Sequence, residues 1–274
     1  MLTTKKLHIN GRRHVLLPAT TLEAHRGEVL LVQADGPERR TALALALTGR
    51  MKPTTGSVVL GHDGSLAALR RRSAIVDAPD INAPEHHLTV RSLAAEDLAL
   101  VPLKFRDRTR PTEWLVKNGF RDISKMWVEE VHSVRLLHLQ LELALANREV
   151  DLMVVDSPDR HTAEAENWLP LLERLAAGSL GPHTVNDEGD NPRPLIVVAV
   201  VSRIPAEWCG ATEVAGNALA PPPPPEDNPI AENNTAVEDS PAVEDSPVAE
   251  ASPAPAQLQT APVGEEFKEE DGEK

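Results

Sequence analysis

RGEVLLVQADGPERRTALALALTGRMKPTTGSVVL, Arg26 to Leu60, reads as strand, short loop, helix, tight turn and strand. That succession is the frame of a nucleotide phosphate-binding loop. In the motif G-x-x-x-x-G-K-[ST], glycines let backbone N–H groups wrap the phosphates, Lys neutralises them, and the hydroxyl holds Mg²⁺. Counting back from Thr41 places Ala34, Arg39, Arg40 and Thr41 at those positions. The frame is present and most of its chemistry has been exchanged.

Beyond this stretch, Ser73–Val76, Leu152–Val155 and Leu195–Val201 join Val29–Val32 as continuous apolar runs. Such runs suit strands buried on both faces, joined by helical crossovers. Helical patterns lie between them at Arg40–Thr48, Arg91–Leu100, Pro111–Lys117, Met126–Ala146 and Ala163–Ala176. The expected fold is therefore α/β, a P-loop NTPase-like, mostly parallel sheet. Leu7–Val15 and Gly56–Leu60 predict an antiparallel β layer beside it, and residues 178–193, rich in Gly, Asn, Asp and Pro, a surface loop.

The formal net charge of −14 is unevenly placed. Residues 221–274 carry fourteen Asp/Glu and two Lys, leaving 28 acidic and 26 basic residues before them. A nearly neutral body does not point to nucleic acid. From about Ala218 the chain becomes acidic and rich in Pro, Ala and Ser, opening with Pro221–Pro225 and repeating AVEDSP at Ala236–Pro241 and Ala242–Pro247. Its only aromatic residue is Phe267, so residues 218–274 are expected to be a disordered tail, extended at its prolines. A solubilising tail and a tethered interaction segment, phosphorylated at Ser240 or Ser246, are its two readings. The single cysteine, Cys209, suits a reducing compartment. The N-terminus lacks the apolar run of a signal peptide, and no apolar stretch approaches the roughly 20 residues of a membrane span.

In this order and spacing the segments resemble the ATP-binding cassette of ABC transporters, over about residues 3–210. Arg26–Gly61 is similar to the family's strand, phosphate loop, helix and Gly-x-x-x-Pro-x-x-Gly turn, here Gly49, Pro53 and Gly56. Leu88–Leu93 (LTVRSL) resembles the segment after the family's glutamine loop, and Asp151–Pro158 (DLMVVDSP) the Walker B strand. The resemblance implies a domain over 1–217 with a helical subdomain at about 88–135. It implies ATP and Mg²⁺ as ligands, an integral membrane protein of a transporter-like complex as partner, and a second cassette as a further one. It places the chain in the cytoplasm, peripheral at the inner face of the membrane through that partner.

Position by position, the resemblance meets substitutions. Gly36, Arg39, Arg40, Thr41 and Ala42 form the phosphate-loop candidate; aligning Gly36-Pro37 with the family's Gly-Pro makes the loop two residues shorter. Arg keeps the charge of Lys, but its planar fork does not replace a compact ammonium in a tight loop. Thr41 and Asp156 are the candidate Mg²⁺ ligands, with a capping role for Asp156 as the other reading. Ser157 stands where active members carry a Glu, and a serine is no useful proton acceptor near neutral pH. The signature position reads Val131, His132, Ser133, Val134 and Arg135, where only Ser133 and Arg135 can contact a phosphate and a core or surface helix is the preferred reading. Ser202 and Arg203 follow the strand where a switch histidine is expected, Asp77 or Ala78 stands near the glutamine, and no aromatic lies at Asn10–Arg13.

Other features are less specific. Adjacent His86 and His87, with Glu85 and Asp80, lack the i, i+4 spacing of a helical zinc site and read as an exposed loop. Arg70–Arg72 and Lys104–Arg110 read as solvated faces, or as contacts for an acidic partner or lipid headgroups. Trp114, Trp127, Phe105 and Phe120 are a small core or an interface. The expected function is a degenerate cassette without ATP hydrolysis, a non-catalytic or regulatory partner in a membrane complex. The alternatives are a divergent active ATPase subunit and a scaffold that binds through its acidic tail.

Overall fold

The computed structural model describes residues 1–106, 108–162, 164–180 and 193–218. Asp107, Ala163, most of the loop expected at 178–193 and the tail from residue 219, with Ser240, Ser246 and Phe267, lie outside the described residues.

Strands β1 (Leu2–Asn10), β2 (Val15–Ala24) and β4 (Thr55–Leu60) form an antiparallel layer in the order β2-β1-β4. The expected Leu7–Val15 strand is thus the end of one strand and the start of another, separated by a turn in which Gly11 N–H donates to His14 O over 2.9 Å. Along β1 the buried side chains change parity, Leu2 and Thr4 before Lys6, Leu7 and Ile9 after it. A bulge at Lys6, with φ 46°, makes that change. Gly56 (φ 80°) fits against the bulge; a Cβ there would lie 2.2 Å from Lys6 O.

The second sheet is parallel, with β3 (Val29–Gln33), β5 (Ser73–Val76), β6 (Leu152–Asp156), β7 (Ile196–Val201) and β8 (Ala211–Val214) in the order β5-β6-β7-β3-β8. All four apolar runs are strands of it. The fifth, β8, has the sequence ATEV and is largely exposed, so it carries no apolar signal. At the β5 edge, the outward carbonyls of Ser73 and Ile75 accept from Arg50 Nη2 (3.4 Å) and Asn82 Nδ2 (2.7 Å). Side chains thereby close an edge that would otherwise offer unpaired acceptors.

Helices α1 (Pro37–Leu47) and α2 (Leu66–Arg72) lie between the first strands, and α3 (Val90–Leu100), α4 (Pro111–Lys117), α5 (Ser133–Leu145) and α6 (Leu169–Ala176) follow. The α2 helix, missed behind the Arg70–Arg72 charge run, is capped by Ser65 Oγ, which accepts from Ala68 N over 3.2 Å. Its three arginines sit in the last turn, where cations favour the helix end. The helix expected from Met126 begins instead at Ser133. Val90 N donates to Met126 O and Val128 N to Leu88 O, so residues 126–128 spend on a bridge the groups a helix needs. Only a 3₁₀ turn, Val128–Glu130, precedes α5.

One core fills the space between the two sheets and α1, and another packs α5 and α6 on the far face of the parallel sheet. A third, around Leu93, Trp114, Leu115, Phe120 and Leu139, holds α3, α4 and α5 together. Trp114 stacks on Phe120 there with ring centroids 6.5 Å apart, while Trp127 is 48% exposed. The aromatics thus divide between core and surface. No helix among the described residues is long and apolar enough to cross a membrane.

Candidate functional site

Parallel pairing aims the carboxyl ends of β3, β7 and β6 at the same edge, so the turns that follow them meet. Ala34 N–H donates to Val201 O over 3.0 Å and carries the ladder one residue past β3. Gly36, at φ 78°, then turns the chain directly into α1. Pro37 occupies the first helical position, which suits a residue with fixed φ and no N–H. Arg40 N–H already closes back on Gly36 O at 3.3 Å.

The helix therefore starts before Arg40 and Thr41, and Pro37, Glu38 and Arg39 form its first turn. A phosphate-wrapping loop would need those residues open, with their N–H groups converging. Here Pro37 has no N–H, and the Glu38 carboxylate occupies the end of the helix that favours anions. Ala42 is buried in the core below. Arg39 is half-buried, and its Nε has no partner among the described residues.

Four side chains join the β3–α1 turn to the end of β6. Thr41 Oγ1 donates to Asp156 Oδ2 over 2.6 Å, and Ser157 Oγ donates to Asp156 Oδ1 over 2.7 Å. Arg40 Nε donates to Ser157 Oγ at 2.7 Å, while its Nη1 reaches Ala34 O at 3.2 Å. Asp156 is fully buried, and burial pushes its carboxyl above the usual carboxylate range. Hydrogen bonds from Thr41 and Ser157 and the charges of Arg160 and Arg40 oppose that rise. Ser157 is itself buried and adopts a left-handed conformation, φ 54°.

A second cluster, not singled out in the sequence, lies beside the first. Asp77, buried at the end of β5 with φ 63°, accepts from Arg160 Nη2 (2.6 Å), and its other oxygen lies 2.6 Å from His161 Nε2. Arg160 also donates to Asp77 O over 2.8 Å. In the sequence Asp77 stood out only by its place near the glutamine position, and Arg160 and His161 only as part of the charged run DRH after Asp156-Ser157-Pro158. Asp159 accepts from Ser202 N over 2.8 Å, which holds the turn after β6 to the end of β7.

Ser133 and Arg135 sit apart from these clusters' hydrogen bonds. Ser133 is the first residue of α5. Arg135 lies over the Phe120 ring at 4.5 Å and donates to Gly119 O (2.6 Å) and Asp122 Oδ1 (2.9 Å). Its guanidinium is thus spent inside the α4–α5 unit. His87 pairs with Glu85 at 3.2 Å in the open, and among the described residues no three His, Cys, Asp or Glu gather as a metal site.

Along the closed β5 edge runs a groove of about 500 Å³. Arg50, Arg70 and Arg71 line one part of it, Asp97, Leu100 and Val101 of the α3 end another. Ile81 and Leu100, 53% and 81% exposed, stand on its rim, and Leu103 beyond them is 81% exposed.

No family model matches the sequence, and no curated protein does. Among solved structures, the fold is that of the ATP-binding cassette of ABC transporters. A cassette of an ABC transporter in its ADP conformation, MJ1267, is 16% identical, with 75% of this chain and 82% of that one covered at a TM-score of 0.53. A nucleotide-free ATP-binding cassette from an ABC transporter is 14% identical, with 74% and 81% covered at 0.52. The third, cbiO1 from Clostridium perfringens, part of the ABC transporter complex cbiONQ, is 14% identical, with 74% and 78% covered at 0.51.

Proposed function

We propose that this chain is a non-hydrolysing ATP-binding cassette that serves as a structural or regulatory subunit of a membrane complex. The observation that carries the reading is Arg40, bonded to Ser157 Oγ and Ala34 O above a helix that already begins at Pro37. The guanidinium closes the mouth where a triphosphate would lie, and the residues before it present a helical turn instead of a cradle. Ser157, the neighbour of Asp156, cannot take a proton from water. The residues present do not fit a Mg-nucleotide, so no catalytic step is assigned to them.

The partner is an integral membrane protein, to which ABC cassettes couple, and a second cassette is a further one. The β5 groove, with exposed Ile81 and Leu100 on its rim, is the surface that suits such docking. Attachment through that partner would hold the chain at the inner face of the membrane. A second reading, a weakened but working nucleotide site, is favoured by the Thr41–Asp156 bond, which keeps the two candidate Mg²⁺ ligands together.

Calorimetric titration of the full chain with MgATP, alongside a phosphate-release assay, separates the two. No saturable heat below millimolar nucleotide and no turnover are expected. Micromolar binding with turnover abolished by Asp156→Ala would establish the second reading in its place.

A further inference from the structure

The chain that leaves α3 presents two bare leucines. Leu100 and Leu103 are each 81% exposed, the most open of the large apolar side chains among the described residues. They stand on a braced turn. Val101 between them is buried, and Pro102 O accepts from the N–H groups of Phe105 (2.8 Å) and Arg106 (3.0 Å). Arg106 Nη2 donates to Ala99 O and to Val101 O (3.1 Å), carbonyls at the end of α3 that the helix leaves open. Lys104 Nζ ties the turn to Glu149, beyond α5, over 2.7 Å. One exposed leucine is ordinary; two on one braced turn, beside a run of cations, form a patch that calls for an occupant.

Across residues 98–112 the sequence holds Lys104, Arg106, Arg108 and Arg110 against one acid, Asp107, so the turn is locally cationic in a chain of net charge −14. Arg108 and Arg110 are exposed, and their side chains have no partner among the described residues. Leu100 and Pro102 also border the groove that Arg50, Arg70 and Arg71 line, which adds cations near the tip. Of the acids there, Glu149 is neutralised by Lys104, and burial, with the Glu96 charge, raises the carboxyl of partly exposed Asp97 to about 6.

Apolar tips flanked by free arginines match the interface of an anionic bilayer. Its acyl boundary accepts leucine side chains without a shaped pocket, and its headgroup phosphates pair with cations. A folded protein would need a concave receptor for each protruding leucine. The negative charge of the whole chain opposes general adsorption, but at physiological salt it is screened beyond about 8 Å, so the local patch decides.

We propose that the turn at 100–106, with Arg108 and Arg110, binds the surface of an anionic phospholipid bilayer directly, Leu100 and Leu103 entering the acyl boundary and the arginines pairing with headgroup phosphates. The contact goes beyond the docking reading above and does not depend on it.

Flotation of the full chain with protein-free vesicles tests it, using phosphatidylcholine alone and equal parts phosphatidylcholine and phosphatidylglycerol. Wild type should float with the mixed vesicles and not with phosphatidylcholine. Leu100→Asp with Leu103→Asp should weaken binding about tenfold or more. Arg108→Gln with Arg110→Gln should weaken it about fivefold for each arginine removed. In a Cys209→Ser background, Leu103→Cys carrying an environment-sensitive dye should brighten and shift to the blue on the mixed vesicles. Binding that survives the leucine changes, with no dye response, would reduce the contact to charge alone and overturn the inference. So would a wild type that ignores the mixed vesicles; if it instead bound poly-L-glutamate through Arg108 and Arg110, the patch would belong to an acidic protein. Because the vesicles hold no protein, neither result touches the docking reading.

Discussion

Arg40 Nε donates to Ser157 Oγ across 2.7 Å, joining the first turns of α1 to the turn that follows β6. The two residues therefore form one structural feature. Each side chain satisfies the other, and Asp156 is held in turn by Ser157.

On the proposed reading, changing Arg40, Ser157 or both to the residues of the active motif should not produce turnover. Ser157→Glu, Arg40→Lys and the double variant are expected to release phosphate from MgATP at the background rate, because α1 still starts at Pro37. A rate above background in the double variant would show that these two side chains, and not the start of α1, decide turnover.

Thr41→Ala should destabilise the fold by about 1–3 kcal/mol, since a buried carboxylate loses one of its donors. Thr41→Ser keeps a hydroxyl within reach of Asp156 and should stay within about 1 kcal/mol of wild type. Urea unfolding of both variants measures the difference; equal losses would deny the hydrogen bond its role.

Asp77→Ala leaves Arg160 and His161, 26% and 27% exposed, without their shared acceptor and should cost about 1–3 kcal/mol. Asp77→Asn should cost less, because Asn keeps an acceptor and tolerates the left-handed φ of 63°. Thermal melts decide it, with matching Tm values for the two variants as the contrary result.

The stability of Asp97→Asn relative to wild type should depend on pH. The folded carboxyl titrates near 6 against an ordinary value of 3.8, so the folded state resists its ionisation. The resulting penalty is full above pH 6, fades between 6 and 4, and is absent below. Asp97→Asn should therefore gain about 1–2 kcal/mol on wild type at pH 7, after allowance for solvent screening, and nothing at pH 4. Denaturant titrations at both values test the sign.

Gly56→Ala places a Cβ 2.2 Å from Lys6 O at a φ of 80° and should cost about 2 kcal/mol or more. A variant with unchanged urea midpoint would show that the β1 bulge can move aside.

The central strands were legible because burial on both faces leaves unbroken apolar runs, as in Ile196–Val201. Polar, exposed β8 left no such trace, and α2 was hidden because Arg70–Arg72 dominate a helix only seven residues long. At the site, Arg40, Thr41, Asp156 and Ser157 could be named from spacing. That Arg40 bonds Ser157 could not, since the two lie 117 positions apart. The Asp77–Arg160–His161 cluster was invisible for the same reason. Asp77 and the adjacent pair Arg160 and His161, 83 and 84 positions on, meet only once β5 and β6 are paired.

Arg50 and Asn82 have a consequence for the chain in bulk. By occupying Ser73 O and Ile75 O they deny another molecule the row of acceptors from which strand-to-strand stacking grows. Two of the acceptors that a neighbouring strand would use are thereby guarded at this edge. The guard depends on two side chains rather than on covering chain, and both also hold the fold beside it, since Asn82 Oδ1 accepts from the N–H of buried Ala78 and Arg50 donates to Thr48 O.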